Sequence, residues 1–310
     1  MHGADFDVVI AGGGPAGLSA ALAFGRARKR VLLADAGPRR NAAAVHVHTF
    51  VTRDGTPPDE FRRIGREQLR AYSSVSVRDS GLTAIGGEKN AFRVDLGGET
   101  VTARRVLLCT GMVDVLPEID GLGQVWGTSA FQCPYCHGWE VQDRAFAYLA
   151  ASADAIEFAL LLRGWSADVV LLTEGHFDVP PDTRARLAAA GIPVDERPLA
   201  RLVASDGQLE RIEFAGGGSL RREILFIHPP QRQVETVRAL RLETDAHGLL
   251  RVDDMTQETS TPGIYAAGDI ITRAQAALLA AASGMRAATA MNHQLTAEMA
   301  IAGVLARPAV

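Results

Sequence analysis

The sequence predicts an α/β protein of two Rossmann-like domains, the second inserted in the first. Three observations carry this. A short apolar strand near the start runs into a glycine-rich turn. A second strand–helix–strand unit lies mid-chain without such a turn. A strand ending in Gly-Asp lies near the end. A chain of 310 residues has room for about two domains. The expected division is a discontinuous nucleotide-binding domain of residues 1–114 and 245–310, interrupted by an inserted domain of residues 115–244.

Asp7-Val8-Val9-Ile10-Ala11 reads as a buried strand. Gly12-Gly13-Gly14-Pro15-Ala16-Gly17 follows at once, and Leu18 to Phe24 reads as a helix rich in small residues. Val31 to Asp35 is a second buried strand ending in an acid. Strand, glycine turn, helix, strand, acid is the dinucleotide fingerprint. Gly12 permits the tight turn, Gly14 lets backbone approach a pyrophosphate, and Gly17 lets helix and strand pack closely. The helix N-terminus offers free amides to phosphate. Asp35, 23 residues after Gly12, is placed to accept from a ribose. A purely structural turn is the alternative.

Val106-Leu107-Leu108-Cys109-Thr110-Gly111 is a further apolar strand, with Cys109 as a buried packing residue. In the insert, Ala145 to Leu149 reads as a strand, Ala153 to Leu162 as a helix and Asp168 to Leu172 as a strand. Gly216-Gly217-Gly218 reads as a hairpin turn. Thr261 to Ala267 is a short strand running into Gly268-Asp269, and Ala274-Gln275-Ala276-Ala277-Leu278 begins the last major helix.

Composition excludes several classes. Apolar residues at 47% and charged residues at 22% are ordinary for a globular chain. The net charge of −4 disfavours nucleic-acid and anionic-membrane partners. No stretch approaches the roughly 18 apolar residues of a membrane span, and the polar start lacks the pattern of an export signal. A cytoplasmic protein is expected. Three cysteines are too few for a disulfide framework.

Cys133-Pro134-Tyr135-Cys136-His137-Gly138 is the most informative stretch. Two cysteines three apart can close a small disulfide ring, accept two electrons and return them. A metal half-site or an inert pair are the alternatives; no second pair completes a zinc site, and no metal is expected.

Taken together, these residues resemble the low-molecular-weight thioredoxin reductase-like flavoproteins over essentially the full length. The resemblance implies FAD as cofactor and a homodimer. The FAD site it implies comprises Gly12, Gly14, Pro15, Ala16, Gly17, Asp35, Ala36, Gly37, Arg39, Arg40, Thr110, Gly111, Gly268, Asp269, Gln275 and Ala276. Arg39 or Arg40 is expected near phosphates, and Asp269 on the ribityl chain. His46 and His48 share a face if extended. His48 is expected to line the isoalloxazine or substrate pocket, with a solvated loop histidine as the alternative.

Two departures from that family matter. His137 stands where the family usually has Asp after the second cysteine, and an imidazole can exchange thiol protons near neutrality. A surface histidine beside a turn is the alternative. In addition, Ala150-Ala151-Ser152-Ala153-Asp154-Ala155 replaces the second glycine turn, and Thr173-Glu174-Gly175 replaces the bases that hold a 2′-phosphate. Side chains there obstruct a pyrophosphate, and an acid repels NADPH.

The pattern is therefore similar to the FAD-dependent dithiol oxidases that close disulfides in natural products of the gliotoxin, holomycin and romidepsin kind. That resemblance implies a small-molecule dithiol as substrate and molecular oxygen as acceptor, giving hydrogen peroxide. Cys133 would be attacked, Cys136 would be the flavin-proximal sulfur, and His137 would manage protons. Two rivals remain: a protein-disulfide reductase fed by NAD(P)H or ferredoxin, and a non-catalytic flavin redox sensor.

Overall fold

The computed structural model describes residues 4–304. Residues 1–3, on which part of the expectation about the polar start falls, lie outside the described residues, as do residues 305–310. The chain forms two compact units. One comprises residues 4–42, 50–113 and 231–304, and the other residues 43–49 and 114–230.

In the first unit the parallel strands Val75–Arg78, Val31–Ala34, Phe6–Ala11 and Thr100–Leu108 lie side by side in that order. Ile264–Ala266 pairs parallel with the end of Thr100–Leu108. Phe92–Asp95 and Ala84–Gly86 continue the sheet antiparallel. Both faces are covered, one by the long helices and the other by the segment around Val237 to Leu250, so the parallel strands read as unbroken apolar runs. Alternation along each strand sorts the side chains. Val8, Ile10, Leu33, Leu107 and Tyr265 enter one core, with Phe24 of helix Pro15–Arg26 and Met291 of helix Ala277–Ile301. Val9, Ala11, Leu32, Leu108 and Ala266 enter the other.

The chain returns to this unit at Gln231, earlier than the expected 245. Val237, Leu242, Leu249 and Leu250 explain the shift, because all four are buried in the second of these cores. Their segment carries only the short helix Glu235–Arg238 and so gives no strand–helix pattern to read. The segment 43–49 also departs from the expected division. A side chain on Gly127, which has φ +81°, would collide with Ala43, so this segment packs closely on the turn of the inserted unit.

The second unit holds an all-parallel sheet in the order Val194–Asp195, Val169–Leu172, Phe146–Leu149, Ile224–Ile227 and Ala130–Phe131. A separate antiparallel sheet comprises Leu199–Ser205, Gln208–Phe214 and Ser219–Arg221, the last two joined by the turn at Gly216-Gly217-Gly218. The expected helix over 153–162 is broken. Ala153–Ala155 is a 3₁₀ turn and Phe158–Leu162 is the α-helix. Hydrogen bonds three residues apart tighten the first part, and Ile156 drops fully into the core between the two pieces.

Among the described residues no helix is long and apolar enough to cross a membrane. No group of three or more His, Cys, Asp or Glu among them is arranged to hold a metal ion.

Candidate active site

The glycine turn at the end of strand Phe6–Ala11 is fixed by sterics. Gly12 has φ +104°, and a side chain there would strike the Cys109 carbonyl and lie 3.3 Å from Thr110 Cα. A side chain on Gly17 would strike the Gly12 carbonyl, and one on Gly13 would strike the Asp35 carboxylate. Gly14 differs: nothing lies within 4 Å of where its Cβ would stand. It precedes Pro15 at the start of a 12-residue helix and gives no side-chain cap, so no capping side chain satisfies the first-turn amides. Open space beside Gly14 together with an uncapped helix start fits a bound pyrophosphate.

The other predicted cofactor residues gather around this turn. Gly111, with φ +63°, follows Thr110. Gly268, with φ +85°, places its α-carbon close to Ala16, where a side chain would come within 3.0 Å of the Ala16 methyl. The Gly268 amide donates to Ser283 Oγ at 3.1 Å. Arg40 Nη1 lies 3.3 Å from Asp269 Oδ2 and also donates to Gln275 Oε1. Gln231 and Gln275 exchange amide hydrogen bonds at 2.9 and 3.0 Å. Ala276 caps the last helix, which begins at Ala277 rather than 274. Arg39 instead pairs with Asp59 at 2.8 Å.

Asp35 is buried at the end of strand Val31–Ala34, beside Ala36. Burial alone would raise its carboxyl. The Arg62 guanidinium, bonded to it directly, and the Gly37 amide at 3.2 Å outweigh that and hold it below the usual carboxylate value. Cys109 is buried and free, and burial pushes its thiol well above the ordinary value.

In the inserted unit the edge strand Ala130–Phe131 delivers the redox loop. Cys133 and Cys136 form a disulfide, with Cα atoms 5.2 Å apart across the single turn Pro134–His137. The His137 ring stacks on Phe131, with centroids 4.4 Å apart and planes inclined by 16°. Both its ring nitrogens are buried without a hydrogen-bond partner. Burial pushes His137 below the usual imidazole value, the Glu140 charge raises it, and His48 lowers it again. His48 therefore stands with the redox loop, where its Nε2 lies 3.4 Å from Glu140 Oε1. His46 and His48 meet edge-on at 5.8 Å.

A crevice of about 380 Å³ opens at the C-terminal ends of strands Phe146–Leu149 and Ile224–Ile227. Its ionisable lining is Glu118, Glu174, His176 and His228, with no Lys or Arg. The strand Phe146–Leu149 runs into buried Ala150 and the 3₁₀ turn, so no glycine loop opens onto a helix N-terminus there. Glu174, with φ +53°, accepts a 3.1 Å hydrogen bond from the Leu199 amide.

The sequence profile of the family described as "Pyridine nucleotide-disulphide oxidoreductase" matches residues 6–293. The chain belongs to this pyridine nucleotide-disulphide oxidoreductase family. It is an oxidoreductase, a flavoprotein of the thioredoxin reductase-like kind, with FAD as cofactor. Among members of the family, "Thioredoxin reductase sirT" of Leptosphaeria maculans is 30% identical, covering 95% of this chain and 96% of the relative. "Thioredoxin reductase tcpT" of Claviceps purpurea is 31% identical over 85% and 86%. The crystal structure of HlmI is 37% identical, with a TM-score of 0.89 over 96% and 95% of the two chains.

Four further residues of these sites were not anticipated from the sequence: three side chains and one glycine. Arg62 reaches Asp35 from helix Pro58–Leu69, and Gly284 lies so close to Ala16 that a side chain would strike its carbonyl. Both are long-range contacts with no local pattern. Glu140 follows His137 by three residues, a one-turn spacing that was open to notice. Trp165 abuts Gly138, where a Cβ would fall 2.8 Å from the indole.

Proposed function

We propose that the protein is a dithiol oxidase that closes an intramolecular disulfide in a small molecule. The observation that carries the direction of electron flow is the crevice of the inserted unit. It lacks the glycine turn, the helix amides and the bases that a phosphorylated nicotinamide donor needs, and it presents acids instead. Likeness to HlmI and to thioredoxin reductase-like relatives supports a disulfide-exchanging flavoenzyme.

In this reading a substrate thiolate attacks Cys133 Sγ and breaks the Cys133–Cys136 bond, giving a mixed disulfide. The second substrate thiolate attacks the substrate sulfur of that bond, releasing a cyclic disulfide. Two substrate S–H bonds are lost, one S–S bond forms, and the enzyme pair gains two protons and two electrons. His137 is uncharged at neutral pH because of its burial, so a ring nitrogen can accept a thiol proton and return it to the Cys136 thiolate. Bound FAD supplies the two-electron acceptor that restores the enzyme disulfide, with oxygen as terminal acceptor giving hydrogen peroxide.

An anaerobic titration tests this. A small dithiol is expected to bleach the flavin's visible absorption and NADPH to leave it unchanged. In air, Cys136→Ser is expected to abolish oxygen uptake. Rapid bleaching by NADPH, or sustained uptake by Cys136→Ser, overturns the proposal and favours a protein-disulfide reductase.

A further inference from the structure

The chain holds 11 Phe, 4 Tyr and 3 Trp, all among the described residues. Only Tyr135 and Trp139 are exposed, at 62% and 71%. Both belong to the redox loop: Tyr135 sits between the two cysteines, and Trp139 follows Cys136 by three residues. Leaving a large apolar ring in water opposes folding. A chain that shelters every other ring and exposes these two beside its disulfide gains nothing in stability from doing so.

Tyr135 is held in place. Its ring meets Trp165 edge-on, with centroids 5.3 Å apart and planes at 90°. Trp165 comes that close because Gly138 has no side chain. The ring is thus preorganised at the exchange site, which reduces the entropy lost when a ligand stacks on it. Charge narrows the ligand further. From Gly127 to Asp143 there is no Lys or Arg, while Glu140 and Asp143 are acids. An anionic thiol finds no counter-charge in this stretch and meets like charge.

We propose that Tyr135 and Trp139 are specificity-determining residues of the Cys133–Cys136 exchange site. They select neutral dithiols carried on a flat unsaturated ring over open-chain or anionic ones. Stacking on the exposed rings brings the guest sulfurs to Cys133 in an attacking orientation. The proposal deepens the oxidase reading by naming the substrate class, and it rests on that reading for the fate of the electrons after exchange. Recognition itself is measurable in the exchange step alone.

The experiment uses the oxidised holoprotein without oxygen. The second-order rate of reduction of Cys133–Cys136 is measured as the sum of thiols trapped by alkylation, read by weighing the protein, and of flavin bleached, so that electrons passed on from the pair are counted. The probes are o-xylylene dithiol (neutral, aromatic), dithiothreitol (neutral, open-chain) and dihydrolipoate (anionic). Each rate is normalised to that probe's rate with a small-molecule disulfide. The aromatic probe is expected to lead dithiothreitol by about tenfold, the worth of one aromatic pair, with dihydrolipoate slowest. Trp139→Ala is expected to bring the aromatic probe close to dithiothreitol, Trp139→Phe to keep the preference, and Tyr135→Ala to reduce it. No ring preference in the wild type, or a preference that survives Trp139→Ala and Tyr135→Ala together, overturns the proposal. So does a reduced thioredoxin-fold protein that outpaces the aromatic probe. Oxygen uptake recorded in parallel reports the oxidase reading separately. Ring preference without uptake defeats that reading alone, and uptake without ring preference defeats this one alone.

Discussion

Glu140 Oε1 lies 3.4 Å from His48 Nε2, and these two side chains act in opposite directions on the buried ring of His137. The negative charge of Glu140 favours the imidazolium, and His48 opposes it. Glu140→Gln is expected to move the acid limb of the kcat/KM profile for a dithiol to lower pH, and His48→Ala to higher pH. A shift in the same direction for both variants contradicts this arrangement.

His137 also links stability to pH. Burial holds its folded value below the ordinary imidazole value of 6.5, so protonation costs the folded state more than the unfolded one. Its contribution is intact above the unfolded value and is lost as pH falls through the folded one. Urea midpoints are expected to decline on acidification across that window, and less so in His137→Phe, whose ring can still stack on Phe131. An equal decline in both proteins rules out His137 as the source.

The glycine turn has no room for a methyl group at Gly17, because the Gly12 carbonyl occupies that space. Gly17→Ala is expected to cost roughly 1–3 kcal/mol, in the range of overpacked cores, and to lower the flavin bound per protein. Full flavin content with an unchanged urea midpoint would show that the turn relaxes freely.

Arg62 is expected to matter through Asp35. Removing it leaves a buried carboxylate unpaired, and breaking such a pair costs about 3 kcal/mol. The Asp35 carboxyl lies below its usual value when folded, so this stabilisation is present at neutral pH and fades as pH falls through that lowered value. Arg62→Ala combined with Asp35→Asn is expected to recover part of the loss in urea denaturation. Strict additivity of the two changes argues that the pair is not coupled.

The fold was readable where the information is local. Gly12, Gly14 and Gly17 declare a turn by their spacing alone, and Gly17 is required by the carbonyl of Gly12 five residues before it, although the carbonyl that requires Gly12 belongs to distant Cys109. The Cys133–Cys136 ring is equally local. Arg40, Asp269 and Gln275 are each expected near FAD from resemblance, but their mutual hydrogen bonds were not readable, since 229 residues separate Arg40 from Asp269. Arg62 bonds Asp35 across 27 residues, and nothing in its own helix marks it out from Arg63 or Arg66. By sequence alone His48 falls in the nucleotide-binding domain as an extended-strand residue. Its segment has no strand or helix period, and close packing of Ala43 on Gly127 assigns it to the other unit.

Cys109 is sealed inside the first unit and its thiol resists ionisation, which leaves Cys133 and Cys136 as the reactive sulfurs of the native chain. Native alkylation followed by intact-mass measurement thus reads the state of the Cys133–Cys136 pair apart from the flavin. An unlabelled molecule holds its pair oxidised, a doubly labelled one holds it reduced, and a singly labelled one marks a sulfur caught with a guest attached.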